Sequence, residues 1–221
     1  MSREDRQKEL GEKARALLHA SLKHVRVAAL VAALLPLASI PVSRAVAQCD
    51  PEGGIPCPPP SSVPNPCDFI TGGGFVFTDS GARANFGSHG GCKNGAFWGH
   101  VNYVDHGAVP GATPYHVDST QITGYLVDPA FPNARDICGF ARTNLGETVI
   151  FRVRMDDEGE PGTSDTFGIR LSNGYDVSSR RLGDAGGSGG GNVQLHKPNP
   201  SSTAPDPPPT EVQMCDGITT P

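Results

Sequence analysis

The chain has 221 residues, among them 28 glycines and 21 prolines, with 37% hydrophobic and only 19% charged residues and a formal net charge of −5. Proline breaks helices and glycine weakens them, so a helical bundle or coiled coil is excluded; without a Gly-X-Y period, so is collagen. What is left is an all-β domain with many turns and enough apolar residues for one core.

The amino end carries scattered bases over residues 1–26, followed by an apolar run from Val27 to Val42 that Pro36 and Pro41 interrupt. That run is shorter than the ~20 residues needed to span the hydrocarbon of a bilayer. Ala45-Val46-Ala47 supplies the small residues of a signal-peptidase site. Residues 1–47 therefore read as a signal peptide and Gln48 as the mature amino terminus, which predicts export with no membrane span after cleavage. Removing residues 1–47 takes away 8 of 18 bases and 4 of 23 acids, leaving 10 bases against 19 acids, net −9. An acidic surface with no basic stripe argues against nucleic acid or an anionic membrane as partner.

All six cysteines follow the leader (Cys49, Cys57, Cys67, Cys92, Cys138, Cys215). An even count in an exported chain reads as disulfides, with fifteen possible connectivities for three bridges. The order along the chain suggests Cys92–Cys138, Cys67–Cys215 and Cys49–Cys57. Zinc is disfavoured because no C-x2-C pair exists.

Residues 48–66 read as a Pro-rich linker, 67–197 as the all-β domain and 198–221 as a Pro-rich carboxy-terminal tail, both tails lying disordered outside the fold. Within the domain, strands are expected at Phe75–Thr78, Ala82–Phe86, Trp98–His106, Tyr115–Val127 (as two strands) and Asp136–Arg142. Period-two alternation is clearest at Thr148–Asp156, Thr166–Leu171 and Asn192–His196. The total is about nine or ten short strands. They suit an antiparallel β-sandwich, jelly-roll-like, or a closed meander barrel.

Six ordered motifs carry a further signal. They are Asp68-Phe69-Ile70-Thr71-Gly72-Gly73-Gly74, Ala84-Asn85-Phe86-Gly87, Gly99-His100-Val101-Asn102-Tyr103-Val104-Asp105-His106, Asp157-Glu158-Gly159-Glu160-Pro161-Gly162, Asp165-Thr166-Phe167-Gly168-Ile169 and Gly190-Gly191-Asn192-Val193-Gln194-Leu195-His196. In this order the chain resembles the post-choice-of-anchor (post-COAP) domain of exported bacterial proteins. The resemblance implies an extracellular all-β domain, often an accessory to other surface modules, and brings no catalytic residues.

Several residue groups could carry chemistry. Parity on the third strand puts Trp98, His100 and Asn102 on one face, opposite Val101 and Tyr103. An aromatic flanked by an imidazole and an amide suits stacking and hydrogen bonding to a sugar ring, with core packing as the alternative for Trp98. Asp156, Asp157, Glu158, Glu160 and Asp165 crowd one turn and could supply oxygens to Ca2+, or form a solvated acidic hairpin tip. His106 and His116 could meet across a hairpin, whereas His100 and His106 lie too far apart along one strand to share an ion; His196 completes the set. Asp105 and His106 could form half of a catalytic dyad. Asp105 and Asp118 are carboxylates for a glycosidase reading, with no motif behind them. Gly186-Gly187-Ser188-Gly189-Gly190 fits G-x-S-x-G but lacks the strand-to-helix context of a nucleophile elbow. Arg152, Arg154 and Arg170 read as solvated arginines paired with local acids. The expected function is binding or structural, on carbohydrate or a surface protein, rather than catalytic. An extracellular hydrolase and a Ca2+-stabilised accessory domain are the alternatives; the oligomeric state is left open.

Overall fold

The computed structural model describes residues 60–107, 114–184 and 190–221. The expected signal peptide, most of the linker, Cys49, Cys57 and Ser188 lie outside the described residues.

Nine antiparallel strands form one curled sheet: β1 (Phe69–Phe77), β2 (Arg83–Lys93), β3 (Ala96–Asp105), β4 (Tyr115–Asp128), β5 (Phe131–Thr143), β6 (Thr148–Asp156), β7 (Thr166–Leu171), β8 (Asp176–Arg181) and β9 (Gly191–His196). The order across the sheet is β8-β7-β6-β5-β4-β3-β2-β1-β9, so eight strands follow as a meander and the ninth returns to pair with β1. The all-β expectation holds. Thr148–Asp156 and Thr166–Leu171 form strands with the expected bounds, since Phe151, Val153, Met155, Phe167, Ile169 and Leu171 all face the core. Residues 115–128 make one strand rather than two, with register shifts after Ser119, Ile122 and Leu126 absorbing its irregular pattern. A two-residue turn joins β2 to β3 at Asn94 (φ 52°) and Gly95 (φ 78°), the left-handed pair that matches strand twist.

Contacts between strands distant in sheet order show the curl. Phe86 of β2 stacks on Phe167 of β7 with ring centroids 3.9 Å apart. Tyr103 of β3 is hydrogen-bonded through its hydroxyl to that of Tyr175, in the β7–β8 turn, at 2.7 Å. The Tyr175 hydroxyl donates to Asp105 Oδ2 at 2.9 Å. Burial holds both phenols well above their ordinary pKa, Tyr103 at a value well beyond neutral pH, so they stay protonated as donors. Past β8, Gly183 N–H donates to Phe75 O, bringing the chain back against β1.

The segment after residue 197 is part of the fold, which corrects its reading as a tail. Thr210 caps a short helix, α1 (Glu211–Cys215), through a capping box with Gln213. Met214 and Cys215 are buried against Leu126 and Cys138, a small second core on the outer face of the sheet. Cys138–Cys215 and Cys67–Cys92 are the two disulfides among the described residues. The expected partners Cys92–Cys138 and Cys67–Cys215 are thus exchanged. Cys67 precedes β1 and Cys92 lies on its hairpin partner β2, while α1 lands on β5; both pairings follow from strand adjacency that chain order does not reveal.

That packing also changes the arginines. Arg152 is 2% and Arg154 9% exposed, so they are buried rather than solvated. Arg152 donates to Asp136 Oδ2, to Glu211 Oε1 and to Ile218 O, and Arg154 donates to both oxygens of Asp136 and to Asp128. Arg170 is half-buried and pairs with Asp176 and Thr219. A second buried pair, Arg135 with Asp68, receives a third hydrogen bond from Tyr125 and ties the start of β1 to β5.

Candidate functional site

The outward face of β9, β1, β2, β3 and β4 is a grid set by register. Across it, His196, Phe69, Gly91 and Trp98 form one row; Gln194, Thr71, His89 and His100 form the next; Asn192, Gly73, Gly87, Asn102 and Asp118 form the third. Phe75, Asn85, Val104 and His116 form the fourth. In the third row two neighbouring positions have no side chain. A Cβ at Gly87 would meet nothing within 4 Å, and one at Gly73 only Phe86 O at 3.7 Å. The result is an open trough of about 510 Å3, lined by Thr71, Gly73, Gly87, His89, Asn192 and Gln194 among others.

The expected trio lies beside this trough. Trp98, His100 and Asn102 do face outward together, but Trp98 is half-buried behind His89 (centroids 5.4 Å) and Phe69 (6.0 Å). His100 and Asn102 share one acceptor: His100 Nε2 lies 3.1 Å and Asn102 Nδ2 3.2 Å from Asp118 Oδ1. The other ring nitrogen of His100 is 3.1 Å from Ser119 Oγ, which accepts the N–H of Val101 at 2.8 Å. Both nitrogens are engaged, so the ring is fixed in place. Serine, histidine and aspartate are linked in the order of a hydrolytic triad. The backbone bond into Ser119 Oγ, however, ties that hydroxyl to the sheet.

His89 was not singled out by sequence. Its imidazole pKa lies below the ordinary value, first because it is partly buried and second because His100 stands beside it. At neutral pH it is uncharged, with one donor and one acceptor nitrogen. Thr71 Oγ1 is held by His196 Nε2 at 2.9 Å, and His196 in turn stacks on Phe69 at 4.4 Å. What sequence lacked was the signal of an absence: glycines at outward positions of two adjacent strands, both inside motifs already noticed.

The chain matches no family model, no curated protein and no solved structure.

The acidic turn between β6 and β7 does other work than the Ca2+ reading required. Asp157 Oδ2 accepts Leu195 N–H at 2.8 Å and Asp165 Oδ2 accepts Val193 N–H at 2.7 Å. These are the N–H groups that β9 turns away from β1, so two carboxylates cover the free edge of the sheet. Their other oxygens accept Gly159 and Glu158 N–H, and Glu160 accepts from Asn192. With the oxygens of Asp157, Asp165 and Glu160 directed at backbone and amide donors, the set Asp156, Asp157, Glu158, Glu160 and Asp165 does not converge on an ion. Among the described residues no group of three or more His, Cys, Asp or Glu is placed to hold one. Asp156 stands apart: Oδ1 is buried without a partner, and burial, then repulsion from Glu158, raises its pKa to about 6.

The remaining candidates separate as well. Asp105 is buried at 4% exposure and accepts from Tyr175 and Gly107, whereas Asp118 is exposed on the other face, so they form no carboxylate pair. His106 accepts from Asn85 Nδ2 rather than joining Asp105 in a dyad. His116 is exposed, with its backbone N–H bonded to Asn144.

Proposed function

We propose that this is a non-catalytic binding module of an exported protein, and that its ligand, a carbohydrate or a protein surface, lies on the outward face of β9, β1, β2 and β3. The observation that carries the reading is the side-chain-free floor at Gly73 and Gly87, walled by hydroxyl, imidazole and amide groups. A few precisely placed polar groups are what fix a ligand's orientation in a site. Two disulfides are compatible with an oxidising extracellular or periplasmic compartment. The resemblance to post-choice-of-anchor domains supports the same setting.

A hydrolase is the second reading, favoured by the Ser119–His100–Asp118 linkage. A glycan array probed with the protein and with Gly87→Trp separates them when combined with fluorophosphonate labelling. Binding lost on Gly87→Trp and an unlabelled Ser119 support the module. A covalent adduct on Ser119, abolished by His100→Ala, overturns it in favour of the enzyme.

A further inference from the structure

The trough has a direction. Along each strand it is stopped two residues away on both sides, by Thr71 and Phe75 around Gly73 and by His89 and Asn85 around Gly87. Across the strands the row of the two glycines continues at Asn192 and Asn102, whose amides are drawn aside. Asn102 turns to Asp118, and Asn192 turns to Glu160, with its Oδ1 so close to Gly162 that a Cβ there would clash. The row of missing side chains thus runs across the strands, the direction a chain-like ligand would follow. Neighbouring strands are ~4.8 Å apart, so β9 to β3 spans roughly 14 Å.

The lining also has a charge preference. Thr71, His89 and Gln194 offer donors and acceptors and no formal charge, since His89 is neutral. No lysine or arginine lines the floor to neutralise an acidic ligand. A β-linked pyranose chain advances by about one strand spacing per ring and presents hydroxyls on both edges, matching a wall of polar groups on one side. Phe75, two residues beyond Gly73 on the same face of β1, is the aromatic next along the strand, its ring covered by Arg83 at 4.0 Å.

We infer that the trough takes an uncharged β-linked glycan laid across β9, β1, β2 and β3, one ring per strand spacing, or about three rings in all. This rests on the binding reading above and narrows its ligand. The test is calorimetric titration of the purified protein with β-1,4-linked glucose and N-acetylglucosamine oligosaccharides of one to six units, beside an oligogalacturonate series. Kd is expected to fall several-fold per added ring up to about three units and then level off, with Gly87→Trp abolishing binding while the melting temperature is unchanged. Gln194→Ala, which alters one wall without filling the floor, is expected to weaken binding about tenfold, the effect of ~1.4 kcal/mol. A monosaccharide binding as tightly as a tetramer overturns the inference, as does neutral-glycan binding that survives Gly87→Trp. If only oligogalacturonate binds and Gly87→Trp removes it, the neutral glycan is refuted and the binding module stands. If no glycan of either series binds, the inference is likewise overturned.

Discussion

Asp156 shows how a single side chain can work against the fold it belongs to. Its carboxyl is raised to about 6 by burial and by Glu158, with Arg154 pulling only partly the other way, and one oxygen finds no donor. A carboxyl whose folded pKa is raised binds its proton more tightly in the native state. Its contribution is therefore most favourable at low pH and is lost as pH rises from about 4 towards about 6. Asp156→Asn, which removes the ionisation, is expected to raise the melting temperature at pH 7.5 and to leave it nearly unchanged at pH 4. Thermal denaturation at the two pH values checks this. Asp165 is the opposite case. It is fully buried and accepts two backbone N–H groups, so Asp165→Ala leaves both donors unpaired. A loss of about 3 kcal/mol in denaturant unfolding is expected, independent of added Ca2+. Dependence on Ca2+ would restore the ion-site reading of the acidic turn.

At the scale of elements, the carboxy-terminal segment behaves as a clasp on β5, β6 and β7. Its disulfide Cys138–Cys215 closes a loop of sequence separation 77, and Arg152 reaches from β6 to both Glu211 and Ile218. Replacing both cysteines by alanine is expected to cost about 2–4 kcal/mol. Arg152→Ala is expected to cost about 3 kcal/mol, because Asp136 keeps Arg154 but loses one of its two buried arginines, and Glu211 and Ile218 lose their donor. Chemical denaturation measures each. How much of this was legible beforehand depended on side-chain pattern. The β6 and β7 strands announce themselves because every second residue is large and apolar. Most of β1 does not, since Thr71-Gly72-Gly73-Gly74 has almost no side chains to alternate, and Asp176–Arg181 has only Val177 to mark an inner face. The clasp was hidden by Pro207-Pro208-Pro209, which read as a linker although Met214 and Cys215 beyond them are buried. Disulfide pairing depends on which strands become neighbours, and so follows the fold rather than the spacing.

For the molecule as a whole, the two faces of one curled sheet divide the work. The inner face carries the stacked Phe86 and Phe167 and the Tyr103–Tyr175–Asp105 linkage that hold the curl closed. The outer face is split between the clasp over β5–β7 and the trough over β9, β1 and β2, which none of the described residues covers. Parity put Trp98, His100 and Asn102 on the correct face, yet the trough itself is made of missing side chains, and only register brings Gly73 beside Gly87. The edge of β9 is sealed by carboxylates instead of another strand. Replacing Asp157 and Asp165 together by alanine should expose an edge that pairs with other chains, seen as association by size-exclusion chromatography with light scattering. The measurement that bears most directly on the central claim is glycan binding by the protein and by Gly87→Trp at matched thermal stability. Binding by the protein that disappears when the trough is filled is the expected result; equal binding by both would contradict the assignment of this face, and binding by neither would contradict a glycan as its ligand.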